Sequence, residues 1–284
     1  MRVGDGNFHY EVVPNWGRSG EINAFGLVSG VACDSQDRVY LFIRSPQPEV
    51  LVFDPEGRLL DRWGQDIFTT PHGIWISPDD SIYLTDVADH TVRKTTLDGR
   101  IVMTLGTPGQ PGAPGAPFNQ PTRAVESPSG DIWVSDGYGQ NRVHRFTPAG
   151  ELALSWGETG KGPGQFELPH DITVDRHEQV YILDRPNGRC QIFDNRGVYQ
   201  TEWKGLLGPN DLFITPDETI YIAESEQRIT VMSMDGTVLA RWGEKGDGPG
   251  QFSDSPHGIW VDSRGDLYVS EVIAENRFQK FVRL

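Results

Sequence analysis

One pattern returns about every 40 to 50 residues along this 284-residue chain, and a period of that length belongs to solenoids and propellers. Five copies align at once: PHGIWISPDDSIYLTD from Pro71, PTRAVESPSGDIWVSD from Pro121, PHDITVDRHEQVYILD from Pro169, PNDLFITPDETIYIAE from Pro209 and PHGIWVDSRGDLYVSE from Pro256. A weaker first copy, SGVACDSQDRVYLFI, begins at Ser29. Each copy holds two runs of β-branched and aromatic residues around a polar turn, the signal of a hairpin of short strands. A third run follows, as in VLVFDPEG, VHRFTPAG and CQIFDNRG, and a fourth closes on Trp-Gly or its equivalent, as in LLDRWG, LALSWG, YQTEWK and VLARWG. Four antiparallel strands per unit and six units predict an all-β, six-bladed β-propeller, a single domain over residues 1–284. The blades fall at about 26–65, 69–107, 118–158, 166–205, 206–244 and 252–284. The last has sequence for three strands, so the segment 8–16, FHYEVVPNW, is expected to supply its outer strand.

Composition agrees and narrows the function. The chain has 33 Gly, 20 Pro and 29 aromatic residues, suited to many strands and tight turns rather than long helices. Its net charge of −15 argues against a phosphate-backbone partner, so no nucleic acid is expected. No apolar run approaches the roughly 18 to 20 residues that span a bilayer, and no basic-then-apolar leader is visible. A soluble, cytoplasmic protein with no membrane partner is therefore expected. Cys33 and Cys190 lie in apolar runs, VAC and CQIF, and are expected to be buried free thiols. The Pro/Gly-rich segment TPGQPGAPGAP, Thr107 to Pro117, falls between two blades and is expected to be a long inter-blade loop. The Trp residues that close outer strands (Trp16, Trp63, Trp156, Trp203 and Trp242) are expected to pack between blades, and the acidic residue ending each second strand to be structural.

In a propeller blade the inner strand starts at one face beside the central channel. The residue after each repeat's Pro, there, is Gly30 in the first blade, then His72, Thr122, His170, Asn210 and His257. Histidine occupies this position in alternate blades, and sixfold pseudo-symmetry spaces those blades by about 120°. Three neutral imidazoles with an open fourth position suit catalytic zinc. The alternative is that each histidine only caps its strand. His9, His90, His144 and His177 lack this symmetry and are assigned to surface or packing roles. Just after the second strand, Arg44 and Arg185 hold equivalent positions in VYLFIR and VYILDR, and Tyr138 lies one residue further along in its own blade. Two guanidiniums beside a phenol would favour its phenolate and could hold a substrate carboxylate. No Gly-rich phosphate loop opens a helix and no GxSxG elbow is present.

The loops GETGKGPGQF and GEKGDGPGQF match the NHL repeat signature. Together with the alternating histidines, the segments GLVSGVACD with LFIR, PHGIWISPDDSIYLTDVADHTVRK, QPTRAVESPSGDIWVSDGYGQNR, PGQFELPHDI with DRPNGRCQ, and PHGIWVDSRGDLYVSE resemble the peptidyl-α-hydroxyglycine α-amidating lyase family, the lyase domain of peptidylglycine α-amidating monooxygenase. The resemblance covers the first four blades and the sixth; the fifth, around Asn210, matches poorly. It implies zinc on His72, His170 and His257, Tyr138 as general base, Arg44 binding substrate and Arg185 beside the tyrosine. The reaction it implies splits a carbinolamide, RCO-NH-CH(OH)-COO⁻, into an amide and glyoxylate.

Two departures stand out. The family's extracellular members carry a disulfide where this chain has Asn119 and Gly139, so that loop must be held otherwise. The family's structural calcium uses backbone carbonyls, which map to Val28 and Ile74, and an Asp directly after the third histidine, which here is Gly258; calcium is therefore not expected. The expected partner is a small-molecule or peptide-terminal substrate with a carboxylate, with a ureido acid as compatible as a peptide. Two further readings are a metal-dependent hydrolase or lactonase on the same channel, and a non-catalytic NHL interaction scaffold.

Overall fold

The computed structural model describes residues 1–18, 22 and 24–284. All regular structure among them is β-strand: six antiparallel sheets are the blades of a six-bladed β-propeller, and Glu158–Thr159 pairs in parallel with Gln165–Phe166 in the loop between the third and fourth blades. By internal contacts the chain divides into two units, one of residues Phe68–Pro209 and one of Met1–Ile67 with Asn210–Leu284.

The first unit holds the second, third and fourth blades. Their inner strands are Pro71–Ile76, Arg123–Glu126 and Pro169–Val174, and their second strands are Ile82–Asp86, Ile132–Asp136 and Val180–Asp184. Every residue of these second strands is buried, which explains why IYLTD, IWVSD and VYILD are apolar without alternating. Outer strands such as Leu152–Trp156 are far more exposed. Cohesion comes from apolar residues sandwiched between neighbouring blades. Tyr83, Ala124, Val134 and Phe146 share one cluster, and Val125, Trp133, Ile172 and Phe193 share the next. The third and fourth strands of each blade meet in a tight turn; in the third, Gly150 takes φ 84° and its N–H bonds Thr147 O at 2.8 Å, a conformation glycine adopts without a Cβ penalty.

The second unit holds the fifth, sixth and first blades. In the sixth, the strand Phe8–Val13 pairs with Phe278–Arg283, with Val12 opposite Phe281, as the sequence predicts. A further strand, Arg2–Asp5, adds outside it and makes this sheet five-stranded. Trp16 packs on Phe53 of the first blade and on Tyr268 and Phe278 of the sixth, and Trp242 stacks on Tyr10 across the fifth and sixth. Trp156 likewise bridges to Phe193 in the first unit. Trp203 differs: it lies over Tyr181 of its own blade.

The acid that ends each second strand is fully or almost fully buried, and it does one job repeatedly. Asp86 accepts the N–H groups of Thr69 and Thr70, Asp136 that of Asn119, Asp184 those of Glu167 and Leu168, and Glu271 that of Asp254. In each case the bonded residues come shortly before the proline that opens the inner strand. An arginine or imidazole partner stands beside each acid: Arg93, His144 and Arg189 on the third strands, Arg277 just before one, and Arg228 beside Glu224 in the fifth blade.

Removing one of these acids leaves part-buried amides without their acceptor, and a donor so left costs up to about 1–3 kcal/mol. Asp86→Ala should therefore lower the unfolding free energy by about 2–4 kcal/mol in a denaturant titration, and a change within error would deny the pinning role. Cys33 and Cys190 are both free and buried, and burial pushes both thiols up, with Asp262 adding to the effect at Cys33 and Asp171 at Cys190. A higher pKa means less thiolate at a given pH. A thiol reagent at mildly alkaline pH should thus label neither in the folded protein and both after unfolding without reductant.

Candidate metal and catalytic site

His72 and His170 are each the second residue of an inner strand, and each is 2% exposed. Their ring centroids lie 4.9 Å apart. His72 Nδ1 sits 2.7 Å from Thr122 O. A carbonyl only accepts, so Nδ1 carries the hydrogen, and in the neutral ring Nε2 then presents its lone pair. Both Nε2 atoms face the Tyr138 hydroxyl, at 3.1 Å from His72 and 3.0 Å from His170. Atoms bound to one tetrahedral zinc at about 2.0–2.1 Å stand about 3.3 Å apart. The two nitrogens and the phenol oxygen are thus spaced much as neighbouring ligands of a single ion are. Imidazole nitrogen is a donor type that zinc takes, and each of the two stands from the phenol oxygen at a separation ordinary for neighbouring ligands.

Thr122 stands at the histidine position of the third blade and ties its neighbours together. Its carbonyl takes His72 Nδ1–H and the Thr85 hydroxyl, while its own hydroxyl donates to Pro169 O at 2.9 Å, one residue before His170. One residue further along, Arg123 and Asp171 form a buried ion pair at 3.3 Å. Sequence reasoning missed both connections. A polar residue at the repeat position of the blade between two histidines was the available signal.

Tyr138 is 37% exposed, and the Arg185 guanidinium carbon lies 5.7 Å from its ring centroid, within the range of a cation–π contact. Arg185 follows the strand Val180–Asp184, as expected. The loop bearing Tyr138 is held by Asn119: Gly139 N–H donates to Asn119 O at 3.0 Å, and Asn119 Nδ2 donates to Gly139 O at 3.1 Å. Hydrogen bonds thus connect the two positions at which the resemblance has a disulfide. The fit is close, since a Cβ on Gly139 would meet Asn119 Cγ and Oδ1 at 2.3 Å.

His257 and Arg44 belong to the other unit. His257 is again the second residue of its inner strand, Pro256–Val261, and is 5% exposed, with Nδ1 at 2.6 Å from Ser29 O. It repeats the His72 arrangement: ring hydrogen to a carbonyl of the next blade, Nε2 left as ligand atom. Arg44 lies within the strand Val39–Ser45 and is half-buried; sequence reasoning put it just beyond that strand's end. Gly258 has no room for the family's aspartate, because a Cβ there would meet Gly30 Cα at 2.8 Å. That calcium site does not fit this chain.

Among the remaining histidines, His144 is fully buried and bonds Asp136 at 3.2 Å. His90 accepts from Gln120 N–H at 3.1 Å, and His9 and His177 are exposed. His72, His170 and His257 are each buried and each of a residue type that ligates metals, and among the described residues no helix is long and apolar enough to cross a membrane.

No protein-family model matches the chain. It is 32% identical over 283 residues to human NHL repeat-containing protein 3, covering 91% of this chain and 80% of that protein. It is 35% identical over 221 residues to rat peptidylglycine α-amidating monooxygenase, covering 66% of this chain and 22% of that protein. With peptidyl-α-hydroxyglycine α-amidating lyase 1 of Drosophila melanogaster it shares 33% over 178 residues, or 58% of this chain and 33% of that one. The match thus spans about a fifth to a third of each of these two lyase relatives. Among solved structures, a streptogramin B lyase superposes with a TM-score of 0.69 at 15% identity over 98% of both chains, and a putative gluconolactonase with 0.70 at 13% over 99% and 98%. Those two share the fold. The repeats and sheets define an NHL-type β-propeller, and the chain belongs to the family of NHL repeat-containing protein 3, with amidating lyases among its homologues.

A methyl group forced against Asn119 should strain the tyrosine loop. Gly139→Ala is expected to cost about 1–3 kcal/mol of stability by overpacking, read by thermal unfolding. The Cβ would also meet the Asn119 backbone O at 2.5 Å, so Asn119→Gly should restore no more than part of the loss in the double mutant; wild-type unfolding by Gly139→Ala would deny the close fit.

Proposed function

We propose that the protein is a metal-dependent carbon–nitrogen lyase that splits a carboxylate-bearing carbinolamide into an amide and glyoxylate. The observation that carries this reading is the Tyr138 hydroxyl set between His72 Nε2 and His170 Nε2, with Arg185 against its ring. His257, alike in repeat position and in its Nδ1 bond, is the third ligand in this proposal, and zinc is the metal that three imidazoles suit. When bound, such an ion supplies Lewis acidity toward the substrate hydroxyl.

The residues of the chain then divide the remaining work. Arg44 pairs with the substrate carboxylate and fixes which way the carbinol carbon faces. Tyr138, as phenolate, takes the hydroxyl proton. The oxygen's electrons form the carbonyl of glyoxylate while the C–N pair passes to nitrogen, and Tyr138 is placed to return the proton there. Reactant and products balance without water, oxidant or reductant. Arg185, set against the Tyr138 ring, holds it in place. Homology to amidating lyases supports this reading. A second reading, a non-catalytic NHL scaffold, is favoured by the longer match to NHL repeat-containing protein 3; it requires neither metal nor turnover. The gluconolactonase likeness reflects fold alone and adds no weight to the lactonase reading.

Purified without chelator, the protein should hold about one zinc per chain, and His72→Ala, His170→Ala and His257→Ala should each lose it, because two protein ligands seldom retain zinc. Tyr138→Phe should keep metal and fold while lowering kcat by about 10²- to 10⁴-fold. Arg44→Ala should raise KM for carboxylate substrates and leave the response to a carboxamide analogue unchanged. Wild-type glyoxylate release by Tyr138→Phe would remove the proposed base.

A further inference from the structure

A cleft of about 540 Å³ opens beside Tyr138 and lies wholly within the unit of residues 68–209. Gly137 and Gly139 flank the tyrosine on one wall; Glu167 and Leu168, shortly before His170, line the other. The cleft is therefore bordered by the same tyrosine whose hydroxyl faces the two imidazoles. Volumes of about 300–1,000 Å³ are typical of ligand pockets. At about 30 Å³ per water-sized group this one takes on the order of 18 such groups, several times what a carbinol with its carboxylate fills. Its walls are already fixed. The Gln140 amide donates to Asp136 Oδ2 and Ala116 O, and Arg142 donates to Gly157 O and Ser155 Oγ. Walls held by protein partners cost little to order when a ligand arrives.

We propose that this cleft is the subsite for the substituent on the substrate's nitrogen, and that it selects that substituent by length and charge. The inference rests on the lyase reading for the placement of the substrate: with the carbinol at Tyr138, the acyl group on its nitrogen has this cleft beside it. Two exposed carboxylates line the cleft, Glu158, which accepts from Gln165 Nε2 at 2.8 Å, and Glu167. Arg142, the cation in its wall, is committed to Gly157 and Ser155. Neutral and cationic acyl chains are therefore preferred over anionic ones. Glu167 is the specificity-determining residue with the freest access, since its side chain is exposed.

The experiment pairs binding with turnover. N-acylglycines carrying acetyl, benzoyl, and tripeptidyl groups with a Lys or a Glu are titrated by calorimetry into the metal-loaded wild type, Glu167→Trp and Glu167→Lys, and glyoxylate release is measured from the matching α-hydroxyglycines. Affinity and kcat/KM should rise at least tenfold from acetyl to the lysyl tripeptide. Glu167→Trp should abolish that gain, and Glu167→Lys should reverse the Lys-over-Glu preference. Length-independent binding, or a gain untouched by Glu167→Trp, overturns the subsite. Length-dependent binding with no glyoxylate from any compound upholds the cleft as a ligand site and overturns the lyase reading instead.

Discussion

Every candidate ligand in this propeller depends on a buried carboxylate that ends the neighbouring strand. An inner strand starts where the chain arrives from another blade, and the amides just before it have no ladder partner. Buried amides without acceptors are costly, so the chain supplies one: Asp86 for Thr69 and Thr70, Asp184 for Glu167 and Leu168, Glu271 for Asp254. These bonds fix the residues before Pro71, Pro169 and Pro256, and so the histidine after each. The carboxylates are in turn paired with Arg93, Arg189 and Arg277, since an uncompensated buried charge is far more expensive than a paired one. Function at the inner face is thus anchored by ion pairs one strand away from it.

The architecture was legible because its signal is periodic. Five hairpins with their Pro starts and acidic ends, and a weaker first copy without them, set the blade count, and equal repeat position singled out His72, His170 and His257 from seven histidines. What escaped lacks a period. The extra strand Arg2–Asp5 is four residues long and contains Gly4, although the two-residue turn Gly6-Asn7 between Asp5 and Phe8 is a hairpin signal in its own right. The Asn119–Gly139 clasp and the Arg123–Asp171 pair join residues 20 and 48 positions apart, and nothing local in sequence announces such partners. His144 lacks the alternate-blade symmetry, and its place opposite Asp136, where other blades have an arginine, emerges only from the structure.

Within the site, tautomer matters as much as identity. The carbonyls of Thr122 and Ser29 claim the Nδ1 hydrogens of His72 and His257, so each neutral ring has one nitrogen left for a ligand. Tyr138 has a single hydroxyl hydrogen for the two Nε2 atoms it faces, whereas a cation would engage both lone pairs together. The same phenol borders a roomy cleft. A group that touches the imidazoles, an arginine and an open cleft is well placed for proton transfer, and a scaffold protein needs none of these arrangements.

The most direct measurement is glyoxylate release from α-hydroxyhippurate by the purified wild-type protein, followed before and after chelation and after zinc is added back. The lyase account predicts stoichiometric benzamide and glyoxylate at a rate well above the uncatalysed breakdown, lost on chelation and restored by zinc. Release at the uncatalysed rate by folded, zinc-loaded protein would contradict it.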